Sequence, residues 1–358
     1  MQSLNQFKRN LLKLYGLSPV AAWPAFLHAK EENRLRIAFG SCVHQDKPQL
    51  IWDAVLDNQP DLFIFLGDNI YGDSDDPDVL AYKYRKLASN EGFQKLRANT
   101  NILAIWDDHD YGRNDAGREY PVKEASRQLM LSFWEEPEGS ERWTRPDGIY
   151  TSSIFEKDGK RVQVILPDLR WNRSPVDTVK TADELMSRES ANMGPYNRVD
   201  DPKAELLGNA QWQWLEAVFR EPADIRIFGS SIQLLPEFSG WEAWCNFPVE
   251  RQRFLELLSR HQEVPTIIIS GDVHWCEISR YWPDTLDQPA IEITSSGLTE
   301  TWEQISPNRH RISEAYAVQN FGLIDLEWHE EGMKLNLSAR DINNNPLVEL
   351  TLPDSFFR

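Results

Sequence analysis

Residues 62–72 read LFIFLGDNIYG, and this stretch sets the pattern for the rest of the chain. Five apolar residues in a row, typical of a strand buried on both faces, stop abruptly at Gly67 and Asp68. A glycine there lets the backbone turn sharply. The aspartate then lies at the carboxyl end of the strand, where open α/β sheets place their chemistry. Tyr71 follows closely enough to share a site with Asp68.

Four other apolar runs end in the same way, in polar or metal-ligating residues. They are 37–40 before Ser41, Cys42 and His44; 102–106 before Asp107, Asp108 and His109; 225–229 before Ser230 and Ser231; and 266–270 before Gly271, Asp272 and His274. Polar residues after a single apolar run often mark only a turn, but turns do not require so many Asp, His and Cys residues. The repeated pattern predicts a site for several metal ions at the strand ends.

Size and composition indicate a folded protein with a large core. The chain has 358 residues, 41% of them hydrophobic, and a formal net charge of −18. Such an acidic surface repels phosphate backbones, so stable nucleic-acid binding is not expected, and an anionic substrate requires bound cations. No apolar run approaches the ~20 residues of a membrane span. The three cysteines do not make a disulfide scaffold.

Residues 1–29 have the features of an export signal, with a basic region followed by a mildly apolar stretch. Lys8 and Arg9 resemble a twin-arginine signal in which Lys replaces the first Arg. This interpretation predicts recognition by export machinery and a periplasmic or extracellular protein. The alternative is a cytoplasmic protein whose N-terminus forms a short packed helix, although Pro19 and Pro24 would interrupt such a helix.

From residue 34 onward, strand and helix patterns alternate, which predicts a mainly parallel first sheet. Helical spacing covers 48–56, 79–96 with an interruption at 90–92, and 122–134. A hairpin over 148–166 turns at Asp158 and Gly159, and residues 172–203 read as a long irregular loop that covers or shapes the site. The chain ends in strands. We expect a single domain over residues 30–358, with two sheets flanked by helices and an antiparallel C-terminal portion.

The candidate ligands are of two chemical types. Asp108 and Asp272 offer oxygens that suit a hard divalent cation, and Asp68 has two oxygens that can bridge two metals. The softer donors, which favour a transition metal and especially ferric iron, are Cys42, Tyr71 and His274. Two metals about 3.5–4 Å apart clamp an in-line displacement and hold a bridging hydroxide as the nucleophile. His109 can protonate the leaving oxygen, so the predicted reaction is hydrolysis of a phosphoric ester.

Three of these segments, Gly67-Asp68, Asp108-His109 and Gly271-Asp272-Val273-His274, are similar to the signature of calcineurin-like metallophosphoesterases. The longer segments FGSC (39–42), GDNIY (67–71), WDDHD (106–110) and LGNAQWQWL (207–215) resemble the PhoD (alkaline phosphatase D) branch. The likeness runs in matching order over residues 35–340. It implies an α/β fold of the four-layer α-β-β-α sandwich type, an iron and calcium centre, and alkaline phosphatase D-like phosphomonoesterase or phosphodiesterase activity. Members of this branch are often exported by the twin-arginine route.

The resemblance also implies residue roles. The iron ligands would be Cys42, Asp68, Tyr71 and His274; calcium would face Asp68, Asp108 and Asp272; and the catalytic histidine would be His109. Asp108 stands where the wider superfamily usually has Asn, and Asp272 where it has His. Gln233 stands where a further His is frequent. These departures enrich the second site in oxygen, which favours Ca2+ over Zn2+, with Mg2+ and Mn2+ as further alternatives.

Three candidate substrate-binding residues have two interpretations each. Arg170 either binds phosphate or pairs with Asp168. Asn69 and Asn114 either donate to a phosphate oxygen or serve as turn residues. Residues 110–115 continue the motif in a form that varies from the family pattern, which leaves the ligands of a third metal and the substrate contacts open.

Other residues are expected to have structural or surface roles. Cys245 and Cys276 form a disulfide in an exported protein or remain free. The acidic run 73–78 is expected to be a solvated loop, and His44 a loop residue.

Three functions follow from this pattern. The leading one is an exported, metal-dependent phosphoric ester hydrolase that acts on small molecules. The second is a phosphodiesterase or phospholipase-like enzyme on the same scaffold, with residues 172–203 admitting or blocking a second ester group. The third is a metal-stabilised binding protein without catalysis.

Overall fold

A computed structural model describes residues 33–330 and 332–357 of the chain. The predicted export signal, residues 1–29, lies outside these ranges and remains a prediction. Within the described ranges, no helix has the length and apolar character needed to cross a membrane.

The first sheet contains strands from both ends of the described chain: β1 (Arg34–Gly40), β2 (Leu62–Leu66), β3 (Asn101–Ile105), β10 (Asn320–His329), β11 (Gly332–Asp341) and β12 (Pro346–Leu352). Their order is β12-β11-β10-β1-β2-β3. β1, β2 and β3 are parallel, as predicted, whereas β10 to β12 extend the sheet in antiparallel fashion from β1. Every residue of β2 is buried, as its continuous apolar run predicts.

The second sheet is formed by the middle of the chain: β4 (Thr151–Lys157), β5 (Lys160–Leu166), β6 (Ile225–Ser230), β7 (Thr266–Ser270), β8 (Cys276–Tyr281) and β9 (Ala290–Ser295). Their order is β4-β5-β6-β7-β9-β8. The four inner strands are parallel, and β4 and β8 are antiparallel edge strands. The two sheets approach closely where Gly229 of β6 faces Leu66 of β2, since an added Cβ at Gly229 would lie 2.9 Å from Leu66 Cδ2.

The helices are α1 (Ile51–Asp57), α2 (Pro77–Ala88), α3 (Glu91–Asn99), α4 (Asp108–Tyr111), α5 (Lys123–Phe133), α6 (Ala182–Ser190), α7 (Asn209–Val218) and α8 (Pro248–Arg260). Helices α1, α2, α3 and α5 pack their apolar side chains into the core that contains the first sheet. Helices α7 and α8 form a second apolar cluster with β6 and β7. The layers are therefore helices, sheet, sheet and helices, and the predicted α-β-β-α sandwich is confirmed.

Two elements differ from the prediction. Helix α6 lies inside residues 172–203, which were expected to be irregular. It is capped by Thr181, whose side chain accepts a hydrogen bond from the Glu184 backbone N–H. This capping pattern is a helix signal, but α6 buries none of its residues, so it lacks the apolar periodicity of the other helices. The short edge strand β12 was also missed, because Pro346 and the preceding asparagines read as a turn.

The cysteine alternatives are decided in favour of free thiols. Cys42, Cys245 and Cys276 are all buried and unpaired with one another. The disulfide considered for Cys245 and Cys276 is therefore absent. Burial raises the pKa of Cys245 to about 11 and that of Cys276 to about 12, so both are neutral thiols in the core.

Candidate active site

The ends of β1, β2 and β7 carry several residues with an unusual backbone conformation. Cys42, Asp68, Asp272 and His274 all have positive φ angles, of 64°, 49°, 74° and 66° respectively. Residues other than glycine rarely adopt this left-handed conformation, and such strain is concentrated at functional sites. The backbone is thus bent at four predicted ligands, so that their side chains converge.

Gly67 makes this convergence sterically feasible. Its φ is +104°, and an added Cβ would lie 2.4 Å from the Cβ of Asp107. A side chain at position 67 would therefore separate the ends of β2 and β3. Asp110 joins the same two ends, because its Oδ1 accepts hydrogen bonds from the Asp107 backbone N–H (2.7 Å) and the Asp68 backbone N–H (3.2 Å).

One group of converging side chains contains the softer donors. Ligand atoms of Cys42, Asp68 and His274 lie within 4.8 Å of one another. Cys42 Sγ is 3.4 Å from Asp68 Oδ2, and the Tyr71 hydroxyl is 3.0 Å from His274 Nε2. Thiol, phenol, imidazole and carboxylate are therefore adjacent, as the sequence predicted.

A second group contains only carboxylates. Oxygens of Asp68, Asp107, Asp108 and Asp272 lie within 4.8 Å of one another, and Asp68 belongs to both groups. Asp108 Oδ2 accepts a hydrogen bond from the Asp115 backbone N–H (2.6 Å), whereas its buried Oδ1 has no hydrogen-bond partner among the described residues. A buried carboxylate oxygen without a partner is costly unless a cation contacts it.

The electrostatics of both groups indicate an excess of negative charge. Burial raises the pKa of Asp68 well above its usual value, and neighbouring Asp108 raises it further. Burial and neighbouring carboxylates act in the same direction on the pKa of Asp272. The pKa values of Cys42 and Tyr71 are raised by burial first and then by nearby anions. These groups would ionise together only if positive charge were added to the site.

His109 lies beside the carboxylates and is oriented by a residue that the sequence reading missed. Its Nδ1 is 2.7 Å from Asp73 Oδ1, and its ring centroid is 4.2 Å from that of Tyr71. Burial lowers the pKa of His109, but the carboxylates of Asp108 and Asp68 outweigh this effect and raise the pKa to about 11. The ring is therefore held in place and carries a proton.

Arg170 lies behind the carboxylates, completely buried. Its Nε donates to Asp107 Oδ1 and its Nη1 donates to Glu242 Oε2, both at 2.6 Å, while Nη2 is 3.9 Å from Asp108 Oδ1. Its side chain does not pair with Asp168, which instead accepts hydrogen bonds from backbone N–H groups, including that of Arg170 itself. The phosphate-binding role of Arg170 remains a prediction. Its Nη2 has no hydrogen-bond partner among the described residues.

The two predicted asparagines occupy different environments. Asn69 is fully buried and donates from Nδ2 to the carbonyl of Ile105 (2.9 Å), while its Oδ1 has no hydrogen-bond partner among the described residues. Asn114 is exposed, and its backbone N–H donates to Asp73 Oδ1 (3.1 Å). The contacts of both asparagines with substrate remain predictions.

The structure corrects the interpretation of the acidic run 73–78. Asp73 at its start contacts His109, and Asp76 caps helix α2 through a hydrogen bond from the Asp78 backbone N–H. Only part of the run is therefore a solvated loop. The signal for Asp73 was its position shortly after Asp68 and Tyr71, but composition alone did not separate it from its acidic neighbours.

Further acidic residues were also missed. Oxygens of Asp108, Asp115 and Glu242 form another group within 4.8 Å, and the Tyr196 hydroxyl donates to Asp115 Oδ2. Tyr196 belongs to the segment 172–203, so this segment does reach the site, as predicted. Glu242 lies about 130 residues after Asp108 in sequence, and no local pattern connects the two.

Comparison with known proteins identifies the family. The sequence model described as PhoD-like phosphatase matches residues 37–337, which is most of the chain. The chain belongs to the PhoD-like phosphatase family, and the resemblance seen in its motifs is confirmed. Membership implies phosphoester hydrolysis. No curated protein sequence matches the chain.

Solved structures support the fold. A structure described as PhoD aligns with a TM-score of 0.66 at 15% identity, covering 90% of this chain and 69% of that one. The Plasmodium protein GAP50, described as the anchor in the inner membrane complex, aligns with a TM-score of 0.57 at 12% identity and 90% coverage of both chains. At these identities the likeness concerns the fold alone.

Proposed function

We propose that the protein is a metal-dependent phosphoric ester hydrolase of the alkaline phosphatase D type. The observation that carries this proposal is the group of buried carboxylates whose charge the chain neutralises only in part. Among the described residues, no lysine or arginine forms a salt bridge with Asp68 or Asp272, and Asp108 Oδ1 lacks a hydrogen-bond partner. Bound cations would satisfy all three side chains.

The donor chemistry fits two different metals. Cys42, Asp68, Tyr71 and His274 would hold Fe3+, because thiolate and phenolate suit ferric iron. Asp68, Asp108 and Asp272 would hold Ca2+, with Mg2+, Mn2+ or Zn2+ as alternatives. When bound, these cations supply positive charge to the phosphoryl oxygens and make water a stronger nucleophile.

His109 is proposed to protonate the leaving oxygen. Its Nδ1 is bound to Asp73, which leaves Nε2 free to donate a proton. Cations at Asp68 and Asp108 would neutralise the carboxylates that raise the pKa of His109, so its proton becomes easier to transfer in the loaded site. Asp73 acts as a positioning residue, because it fixes the ring without touching the substrate.

Substrate class and location complete the proposal. We expect a small-molecule phosphoric ester as substrate. Segment 172–203, tied to the site by Tyr196, is expected to govern the choice between monoesters and diesters. Export to the periplasm or the extracellular space rests on residues 1–29 alone.

The test is hydrolysis of a nitrophenyl monoester and a bis-nitrophenyl diester by purified, metal-quantified protein at alkaline pH. Turnover with bound iron and calcium is expected, and a strong diester preference would select the phosphodiesterase alternative. In parallel, His109→Ala should lower kcat by about 10²–10⁴-fold for alkyl esters, which need a proton on the leaving oxygen, and by less for nitrophenyl esters. Absence of turnover in metal-loaded protein would support the binding-protein alternative.

A further inference from the structure

Two tryptophans contact each other beside the site, and the mechanism above does not use them. The rings of Trp241 and Trp302 are edge to face, with centroids 6.0 Å apart. Trp302 is 43% exposed, which leaves much of its ring accessible, while Trp241 is half-buried. Exposed tryptophans are common singly, so their meaning depends on where the pair lies.

Trp302 belongs to a segment that is hydrogen-bonded to predicted ligands. The backbone N–H of Trp302 donates to the carbonyl of His274 (3.2 Å), and the N–H of Glu300 donates to the carbonyl of Cys42 (3.3 Å). This segment therefore borders the side of the site that contains the softer donors.

Trp241 is adjacent in the chain to a residue of the carboxylate groups. It directly precedes Glu242, whose carboxylate groups with those of Asp108 and Asp115. It is supported by the segment 172–203, because an added Cβ at Gly194 would lie 2.5 Å from the Trp241 ring. The contact between the two tryptophans thus links a segment beside the softer donors with a segment beside the carboxylates.

We propose that the Trp241–Trp302 pair is a binding platform for a neutral, flat aromatic ring on the alcohol side of the phosphoric ester. This inference rests on the proposed function, and it adds the substrate class. Tryptophan faces stack well on aromatic rings. The neighbours of Trp302 include Glu303 and Glu300, the latter paired with Lys47 at 2.7 Å. Lys47 balances the charge of Glu300, but Glu303 directly follows Trp302 and is exposed. A substituent carrying further negative charge would be repelled by Glu303, so a neutral ring is favoured over a second phosphate.

The test compares benzyl phosphate with cyclohexylmethyl phosphate, whose alcohols have similar size and acidity, and with methyl phosphate. The wild-type protein should prefer the benzyl ester. Trp302→Ala should lower the ratio of kcat/KM for benzyl phosphate to kcat/KM for methyl phosphate about tenfold. Trp302→Phe, which keeps an aromatic face, should retain most of the preference.

A matched control and a binding measurement separate the possible failures. Trp282 directly follows β8 and is 62% exposed. Trp282→Ala should leave kcat/KM unchanged for all three esters. Calorimetric titration should show benzylphosphonate binding more tightly than methylphosphonate, with the difference lost in Trp302→Ala. If the wild type hydrolyses methyl phosphate but Trp302→Ala changes kcat/KM equally for all three esters, or for none of them, the aromatic platform is refuted while the proposed function stands. If the wild type hydrolyses no ester, the proposed function fails and this inference fails with it.

Discussion

Two sets of buried carboxylates lie side by side in this protein, and they are stabilised in different ways. Asp107 and Glu242 share the guanidinium of Arg170, and Arg173 Nε lies 2.7 Å from Glu242 Oε1. All four side chains are within a few per cent of complete burial. This set carries its own cations, and the charges compensate one another within the fold.

Asp68, Asp108 and Asp272 form the other set, and their compensation is only partial. Burial and neighbouring carboxylates raise the pKa values of Asp68 and Asp272, whereas at Asp108 the charges of His109 and Arg170 outweigh burial and lower the pKa. The closest guanidinium nitrogen recorded for this set is 3.9 Å from Asp108. The first set can therefore fold as a rigid support, whereas Asp68 and Asp272 in the second set ionise together only when cations are bound. This difference in charge compensation distinguishes the residues that support the site, Asp107 and Glu242, from the proposed metal ligands.

The largest effect on stability is expected when the compensated set loses its cation. Arg170→Met leaves Asp107 and Glu242 buried without a partner, which should lower the free energy of unfolding by about 3–5 kcal/mol. Denaturant unfolding measures this value. Arg309→Met, at a pair in which the Arg309 side chain is 75% exposed, is the control and should have almost no effect. An equally small effect of Arg170→Met would show that this set does not need its arginine.

A third kind of buried carboxylate extends the comparison to pH. Burial raises the pKa of Glu292 from 4.5 to about 7, although the backbone N–H groups of Leu234 and Leu235 donate to it. A raised folded-state pKa contributes stability that is fully present below pH 4.5 and is lost as the pH rises through about 7.

The corresponding variant is Glu292→Gln, which does not titrate. Relative to this variant, the wild type should lose up to about 3 kcal/mol of unfolding free energy between those two pH values. Unfolding at a series of pH values measures the difference. Glu314→Gln, at an exposed glutamate, should leave the pH dependence unchanged. A wild-type profile parallel to that of Glu292→Gln would mean that folding does not raise the pKa of Glu292.

The smallest effect is expected at the edge of the site. Asp73→Asn keeps an oxygen near His109 Nδ1 but removes the charge, so turnover of alkyl phosphate esters should fall about tenfold. Turnover of nitrophenyl esters, which leave without full protonation, should fall less. Asp75→Asn, in the same acidic run, is the control. A uniform loss for both ester classes would indicate disruption of the site and not of proton transfer.

Sequence reasoning found the strand-end residues because each directly follows an apolar run. Asp68, Asp108 and Asp272 are local features of that kind, and parallel topology brings them to one edge. Glu242, Asp115 and Tyr196 follow no such run and reach the site through loops, so no short-range pattern could place them. The role of Arg170 was left open for the same reason, since its partners Asp107 and Glu242 are distant in sequence.

The fold shows the same division between local and distant information. Strands with continuous apolar runs, such as β2 and β7, were predicted closely, because burial on both faces dictates their composition. Helix α6 and strand β12 bury little or sit at an edge, and their sequences carry a weaker pattern. Burial, more than length, decided which elements were predictable.

The most direct test of the central claim is the metal content of purified Asp68→Ala beside that of the wild type and of Asp53→Ala, at an exposed aspartate on α1. Asp68 is the residue shared by the softer donors and the carboxylates. The account predicts that the wild type and Asp53→Ala bind iron and a hard divalent cation, and that Asp68→Ala loses both, together with at least ~10³-fold of its phosphoesterase activity. Retention of both metals and full activity in Asp68→Ala would contradict the account.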